Sequence, residues 1–196
     1  REKTGLGLMD CKKALEEANG DLDLAVEELR KTSGLKASKK SSRSAADGLI
    51  GIKSSDGKSF MVEINCETDF VARDDSFNLF MQEVLEIVST NREKSLEELL
   101  KLGIEEKREE LVQKLGENIV VRRTTASEDN ADSSGVYLHS NNKIGTIISL
   151  KGGTEEVAKD IAMHAAATDP MAVSPSDIPE EVIEKEREIY RAQSEE

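Results

Sequence analysis

Between Gly48 and Val88 the hydrophobic period changes from two to 3.6, and no other stretch of this chain restricts its fold so tightly. Leu49 to Lys53 reads as a strand. Asp56-Gly57 follows, a pair that favours the two-residue hairpin turn in which both central residues take positive φ. The return strand runs from Phe60 to Glu67. It sets Phe60, Val62, Ile64 and Cys66 on one face and Met61, Glu63, Asn65 and Glu67 on the other. One apolar face and one mixed face predict an antiparallel sheet covered on one side. Soon after, Phe77, Phe80, Met81, Val84, Leu85 and Val88 fall on one stripe of a helix. A hairpin whose apolar face is followed by a helix with a matching stripe predicts an α+β fold.

The flanking segments extend this reading. Residues 8–19 place Leu8, Cys11, Leu15 and Ala18 on one helical face, and Asn19-Gly20 supplies a left-handed stop. Asp21 caps a second helix with the stripe Leu22, Ala25, Val26 and Leu29, and Gly34 lies just past its expected end. Two helices this short predict part of a three-helix module whose first helix precedes Arg1. The polar, basic stretch that follows is a linker or a solvated helix. Beyond Val88, Ser95 and Glu98 form a capping box for a short helix ending near Gly103, and Ile104 to Leu115 is a charged helix ending at Gly116. Asn118 to Ala126 is β-branched and strand-like, and Ser127 to Ser134 is an acidic loop. Val136–His139 and Ile144–Leu150 predict a second hairpin around Asn141-Asn142. A helix from Thr154 turns Val157, Ile161 and Ala165 inward and ends at Asp169-Pro170. Pro179 opens a last helix, with Val182, Ile183, Ile189 and Tyr190 on a side that lacks a partner. A hairpin followed by an amphipathic helix occurs twice, which points to a core of two related halves. The expected organisation is a helical module at 1–33, a basic linker at 34–47, a first α+β half at 48–126, a second, incomplete half at 127–178, and the first arm of a helical hairpin at 179–196.

Charge and composition narrow the function. The formal net charge is −13, yet residues 1–60 hold 12 basic and 10 acidic side chains, a net of +2, so the acidity lies in the remainder. Phosphate-backbone binding needs clustered Lys and Arg, and base stacking needs interleaved aromatics. With aromatics at 3% and no Trp, direct nucleic-acid binding is not expected. No apolar run approaches the ~20 residues of a membrane helix. The two cysteines, Cys11 and Cys66, make no disulfide framework, which suits a reducing cytoplasm or an organelle matrix.

Catalytic signals are absent from the pattern. The paired carboxylates, such as Asp74-Asp75 and Glu109-Glu110, read as solvated helix faces in a chain that is 34% charged. The two histidines, His139 and His164, and the two cysteines lack the spacing of a zinc site, and no nucleophile elbow or phosphate-cradling loop is present. Neither a cofactor nor a metal is expected, and no enzyme activity. Phe70 is the residue that stands out. It sits beside Asp69 where a strand gives way to a loop, a position that favours Gly, Asn or Pro. On composition alone it either folds back into the core, the commoner outcome, or projects toward a partner.

Two segments carry a family resemblance. Thr4-Gly-Leu-Gly-Leu-Met-Asp-Cys-Lys-Lys-Ala-Leu15 and Asn65-Cys-Glu-Thr-Asp-Phe-Val-Ala-Arg73 closely resemble the two signatures of the elongation factor Ts family. Gly116–Arg123, Ile161–Ala166 and Pro179–Arg187 match in the same order. The resemblance implies a ubiquitin-associated-like N-terminal module, a core of two related antiparallel-sheet and helix halves, and a helical hairpin. It implies release of GDP from elongation factor Tu as the function and that GTPase as the partner. Thr68, Asp69, Phe70 and Val71 match the segment that enters the GTPase near its magnesium site. Leu8, Met9 and His139 match further contacts to it. The competing readings are a helical adaptor acting through residues 1–33, which Asp69-Phe70 does not explain, and a carboxylate metal enzyme, which has no His-carboxylate cluster to support it.

Overall fold

The computed structural model describes residues 1–194. Helix α1 (Leu8–Glu17) ends where Asn19 and Gly20 take φ of 52° and 86°. Asp21 then caps α2 by accepting from the amides of Asp23 and Leu24. Helix α2 spans Leu22–Lys40 and therefore does not stop at Gly34, and residues 34–40 of the expected linker are helical. The reason is a neighbour distant in sequence. A methyl on Gly34 would lie 3.0 Å from the Glu109 carboxylate of helix α6 (Glu105–Leu115), so this glycine permits close approach of two helices. Ser33 and Ala37 are buried on the same side, and Arg30 reaches Glu106 and Glu110 at 2.6 and 3.0 Å.

Strands β1 (Asp47–Ser55) and β2 (Lys58–Cys66) pair antiparallel, with Ser55 opposite Lys58 and Asp47 opposite Cys66. The turn between them has Asp56 and Gly57 at φ 52° and 72°, both in the left-handed region that this tight connection needs. Strand β3 (Val120–Ala126) adds on the other side of β2, giving the order β1-β2-β3 with a bulge at Glu63/Ile64. Between β2 and β3 run the one-turn helix α3 (Asp69–Ala72), α4 (Asp75–Thr90), α5 (Leu96–Leu99), a kink at Leu102–Gly103, and α6. Ser95 and Glu98 form the expected capping box of α5.

The core lies between the sheet and α4. Phe60, Val62, Ile64 and Cys66 meet Phe77, Phe80, Met81, Val84, Leu85 and Val88, all of them buried. The opposite face of the sheet is not open, as alternation alone predicts. The second hairpin, β4 (Ser133–Leu138) and β5 (Gly145–Leu150), lies over it, with Gly145 against Met61 and Ile50. Helix α7 (Glu155–Thr168) packs on this hairpin through Ala158 and Ala162, which are fully buried, while Val157 and Ile161 are 46% and 40% exposed. The expected inward face is thus wrong by one position. Gly135 of β4 explains it, because a methyl there would sit 2.2 Å from the Lys159 nitrogen. Helix and strand approach so closely that only small side chains fit between them. Helix α8 (Glu180–Ser194) has no buried side chain among the described residues.

Candidate functional site

Strand β2 ends at Cys66, and the chain turns at once into α3. A single helical turn cannot sustain itself, since its first bonds fix several dihedrals for little return. Its side chains show how it is held. Val71 and Ala72 point inward and join the core, so Val71 anchors the turn and offers no surface to a partner. Phe70 points the other way and is 80% exposed. Asp69 is half-buried, and its carboxylate is paired with Arg73 at 2.9 Å one turn later. Thr68 is the N-cap, its hydroxyl accepting from the Val71 amide at 3.4 Å. Of the four residues singled out in this segment, Thr68 to Val71, only Asp69 and Phe70 face outward.

Beneath the turn lies a polar cluster that sequence reasoning did not single out. Glu117 accepts from the amides of Glu67 and Thr68, both at 3.0 Å, and from the Thr68 hydroxyl at 2.7 Å. In return, Glu67 accepts from the Asn118 amide at 2.6 Å and lies 3.5 Å from Arg43. The Asn118 side chain is buried and donates to the carbonyl oxygens of Arg43 and Ser41 at 2.8 and 3.4 Å. Cys66 donates its thiol to the Thr68 carbonyl at 3.1 Å. Burial, with the carboxylates of Asp47 and Glu117 adding to it, pushes this thiol up to about 11, so it is protonated and inert at neutral pH. The sequence signals for the cluster are that Cys66, Glu67 and Thr68 fall within one of the resembling segments and Glu117-Asn118 within another.

The other expected contacts lie at the start of α1 and at the tip of the second hairpin. Leu8 and Met9, 67% and 73% exposed, open α1, which is tied to the end of α2 by Asp10–Lys36 at 3.0 Å. Four residues on, Lys40 binds the Gly116 carbonyl, next to Glu117. His139 is exposed at the tip of the second hairpin, with the Tyr137 hydroxyl 3.0 Å from its Nδ1. That tip is fixed to β1 by the Ile50 amide, which donates to the Asn142 carbonyl at 2.7 Å, and by Lys143 on Asp47, the residue opposite Cys66. Lys143 and the Gly48 amide hold the Asp47 carboxyl below the usual range.

Three elements therefore present exposed residues: the start of α1, the α3 turn at the exit of β2, and the hairpin tip. Among the described residues no group of three or more His, Cys, Asp or Glu side chains is set to hold a metal, and no helix is long and apolar enough to cross a membrane. What the arrangement offers is a set of exposed side chains with one projecting aromatic.

Comparison with known proteins bears on this surface. The sequence model of the family described as Elongation factor TS matches residues 67–196. The chain is 53% identical to the Elongation factor Ts of Hahella chejuensis over 196 residues, covering 99% of this chain and 68% of that protein. It is 52% identical to that of Marinobacter nauticus over 195 residues, covering 98% and 67%. For Francisella tularensis subsp. novicida the identity is 46% over 202 residues, covering 100% and 69%. The chain thus spans about two thirds of the length of these relatives.

Proposed function

Because this chain belongs to the elongation factor Ts family of translation elongation factors, we propose that it binds elongation factor Tu and speeds GDP release by placing Asp69 and Phe70 near the GTPase's magnesium site. The observation that carries this reading is the 80% exposure of Phe70 on a turn whose next two residues are buried. Exposed phenylalanines on a braced turn favour a partner over solvent, since one such ring contributes about 1.5–3 kcal/mol on burial.

The mechanism is one of coupled binding, with no bond made or broken in the nucleotide. A protein that binds the nucleotide-free GTPase more tightly than the GDP-bound form must weaken GDP by the same factor. A 1,000-fold weakening requires roughly 4 kcal/mol of differential binding. Phe70 alone falls short of that, so Leu8, Met9 and His139 supply further contacts. Asp69 adds a negative charge close to a site that holds Mg²⁺ and diphosphate, where charge balance governs retention of the ion. Thr68 and Val71 act inward, as cap and anchor of the turn.

The test is the rate of GDP dissociation from elongation factor Tu, read with a fluorescent nucleotide. Phe70→Ala slows release strongly and leaves stability within about 0.5 kcal/mol, as expected for an exposed side chain. Phe77→Ala, at a fully buried position, instead lowers stability by about 3–5 kcal/mol. Wild-type release rates with folded Phe70→Ala protein would refute the proposal.

A further inference from the structure

We propose that Glu117 is a positioning residue for nucleotide exchange: it holds the Thr68–Ala72 turn in the conformation that projects Phe70. The inference rests on the reading of Phe70 as the exchange residue, and adds to it a side chain that need not touch the partner.

Three observations carry it. First, α3 is four residues long and its one internal cap is a stretched bond of 3.4 Å from the Val71 amide to the Thr68 hydroxyl. Such a turn needs external support. Second, Glu117 supplies that support at the residues just ahead of the turn. Its two carboxylate oxygens take the amides of Glu67 and Thr68 and the Thr68 hydroxyl at 2.7–3.0 Å. Bonds to an ionised carboxylate are stronger than neutral ones, and both amides lose their partner if it is removed. Third, Glu117 is itself placed by structure on both sides. Gly116 before it is the left-handed C-cap of α6, and its carbonyl is bound by Lys40 of α2. Asn118 after it is buried, with its amide on Glu67 and its side chain on the carbonyls of Ser41 and Arg43. The carboxylate is therefore a fixed strut between the end of α6 and the exit of β2. Val71 and Ala72 hold the inner side of the turn in the core, and Glu117 fixes its start. Together they leave Phe70 one direction in which to point.

Glu117→Ala removes all three bonds. Glu117→Gln keeps them with small adjustment, since one amide oxygen accepts from the two backbone amides and the NH₂ group turns to the Thr68 hydroxyl. Two measurements on the whole chain decide the matter. In the free protein, amide hydrogen exchange followed by NMR is expected to speed up about tenfold or more at Glu67 and Thr68 in Glu117→Ala, while Val62 and Ile64 in the core keep their protection. With elongation factor Tu, the maximal GDP release rate at saturating chain is expected to fall about tenfold in Glu117→Ala, and Glu117→Gln is expected to recover most of it. Phe70→Ala combined with Glu117→Ala is expected to be slower than Phe70→Ala alone by much less than tenfold, because with Phe70 gone the support has only Asp69 left to present. Unchanged amide exchange at Glu67 and Thr68 overturns the proposal. So does a Glu117→Ala loss that adds in full to that of Phe70→Ala, and so does a loss that Glu117→Gln does not recover. If Phe70→Ala itself leaves release unchanged, the exchange reading of the turn fails, and amide exchange still decides whether Glu117 holds it.

Discussion

Raising the pH above 9 takes from the unfolded chain a proton that the folded protein retains, and Cys66 makes the consequence calculable. Its side chain is fully buried, and its thiol lies near about 11 against an ordinary 9.0. The first cause is burial, and the carboxylates of Asp47 and Glu117 add to it. Between pH 9 and about 11 the unfolded chain has released this proton and the folded chain still binds it. Stability falls as pH rises wherever the folded state binds more protons, so the contribution is whole below pH 9 and is lost above it. Each unit of displacement is worth about 1.4 kcal/mol, which gives roughly 1.4 kcal/mol lost by about pH 10 and about 3 kcal/mol in all. Against a typical domain stability of about 5–15 kcal/mol that loss is large. Urea unfolding of wild type and Cys66→Ala at about pH 8, 9 and 10 isolates it. The alanine variant has a constant cavity penalty, tyrosines and lysines titrate alike in both proteins, and only the wild type carries the extra slope. The same ionisation breaks the thiol's bond to the Thr68 carbonyl, since a thiolate cannot donate. Protection of the α3 turn therefore falls ahead of global unfolding. Parallel pH curves for the two proteins would show that the thiol titrates freely and that the floor of the turn is not sealed.

Two further outcomes test other parts of the structure. Gly135→Ala puts a methyl 2.2–2.3 Å from the backbone of Ala158 and Lys159, so it is expected to cost at least about 1–3 kcal/mol and to loosen α7, as read by melting and by amide exchange along Glu155–Thr168. Asp69→Asn removes a charge whose partner Arg73 is itself largely exposed, so stability shifts by less than about 1 kcal/mol. GDP release is expected to slow at millimolar Mg²⁺ and to change less once EDTA has stripped the ion, and equal rates for the two proteins with Mg²⁺ present would assign no role to that charge.

Local rules account for much of the fold, and for a definable reason. The alternation in β2, the α4 stripe, the Asp56-Gly57 turn and the Ser95/Glu98 capping box each involve residues within a few positions of one another. Their physics is complete in a short window of sequence. What escaped that window depended on distant neighbours. Gly34 has the look of a helix stop, and only the carboxylate of Glu109 explains why α2 runs through it. The inward face of α7 follows from Gly135 on another strand, which favours alanines over the larger Val157 and Ile161. The outer face of the first sheet is covered by a hairpin some 80 residues further on, which alternation cannot show. The site divides in the same way. Its residue types left Phe70 between core and surface, and the family resemblance pointed outward, the direction in which the side chain stands. Val71 shares the signature but turns into the core with Ala72, because a single helical turn packed against the core has one inner side and these two residues occupy it. Glu117, 49 positions from Thr68, had no local signal.

The bracing of the α3 turn matters because the energies of nucleotide displacement are close to the cost of ordering a loop. Fixing one residue's backbone takes roughly 1–2 kcal/mol, and burying one phenylalanine returns about 1.5–3 kcal/mol. A flexible four-residue segment would lose the whole gain from its aromatic in becoming ordered on the partner. In this chain the turn is already ordered, so on the proposed reading the ordering precedes binding. Val71 and Ala72 are packed into the core, Glu117 ties down the start of the turn, and Lys40, Arg43 and Asn118 tie Glu117 and Glu67 to the end of α2. On the other side, Lys143 joins the hairpin carrying His139 to Asp47, opposite Cys66. The bonds that brace the turn carrying Phe70 therefore also link it to the elements that carry Leu8, Met9 and His139. A rigid surface of this kind can apply its contacts together, and only contacts made together to one state of the GTPase can sum to the several kcal/mol that releasing a tightly held diphosphate requires.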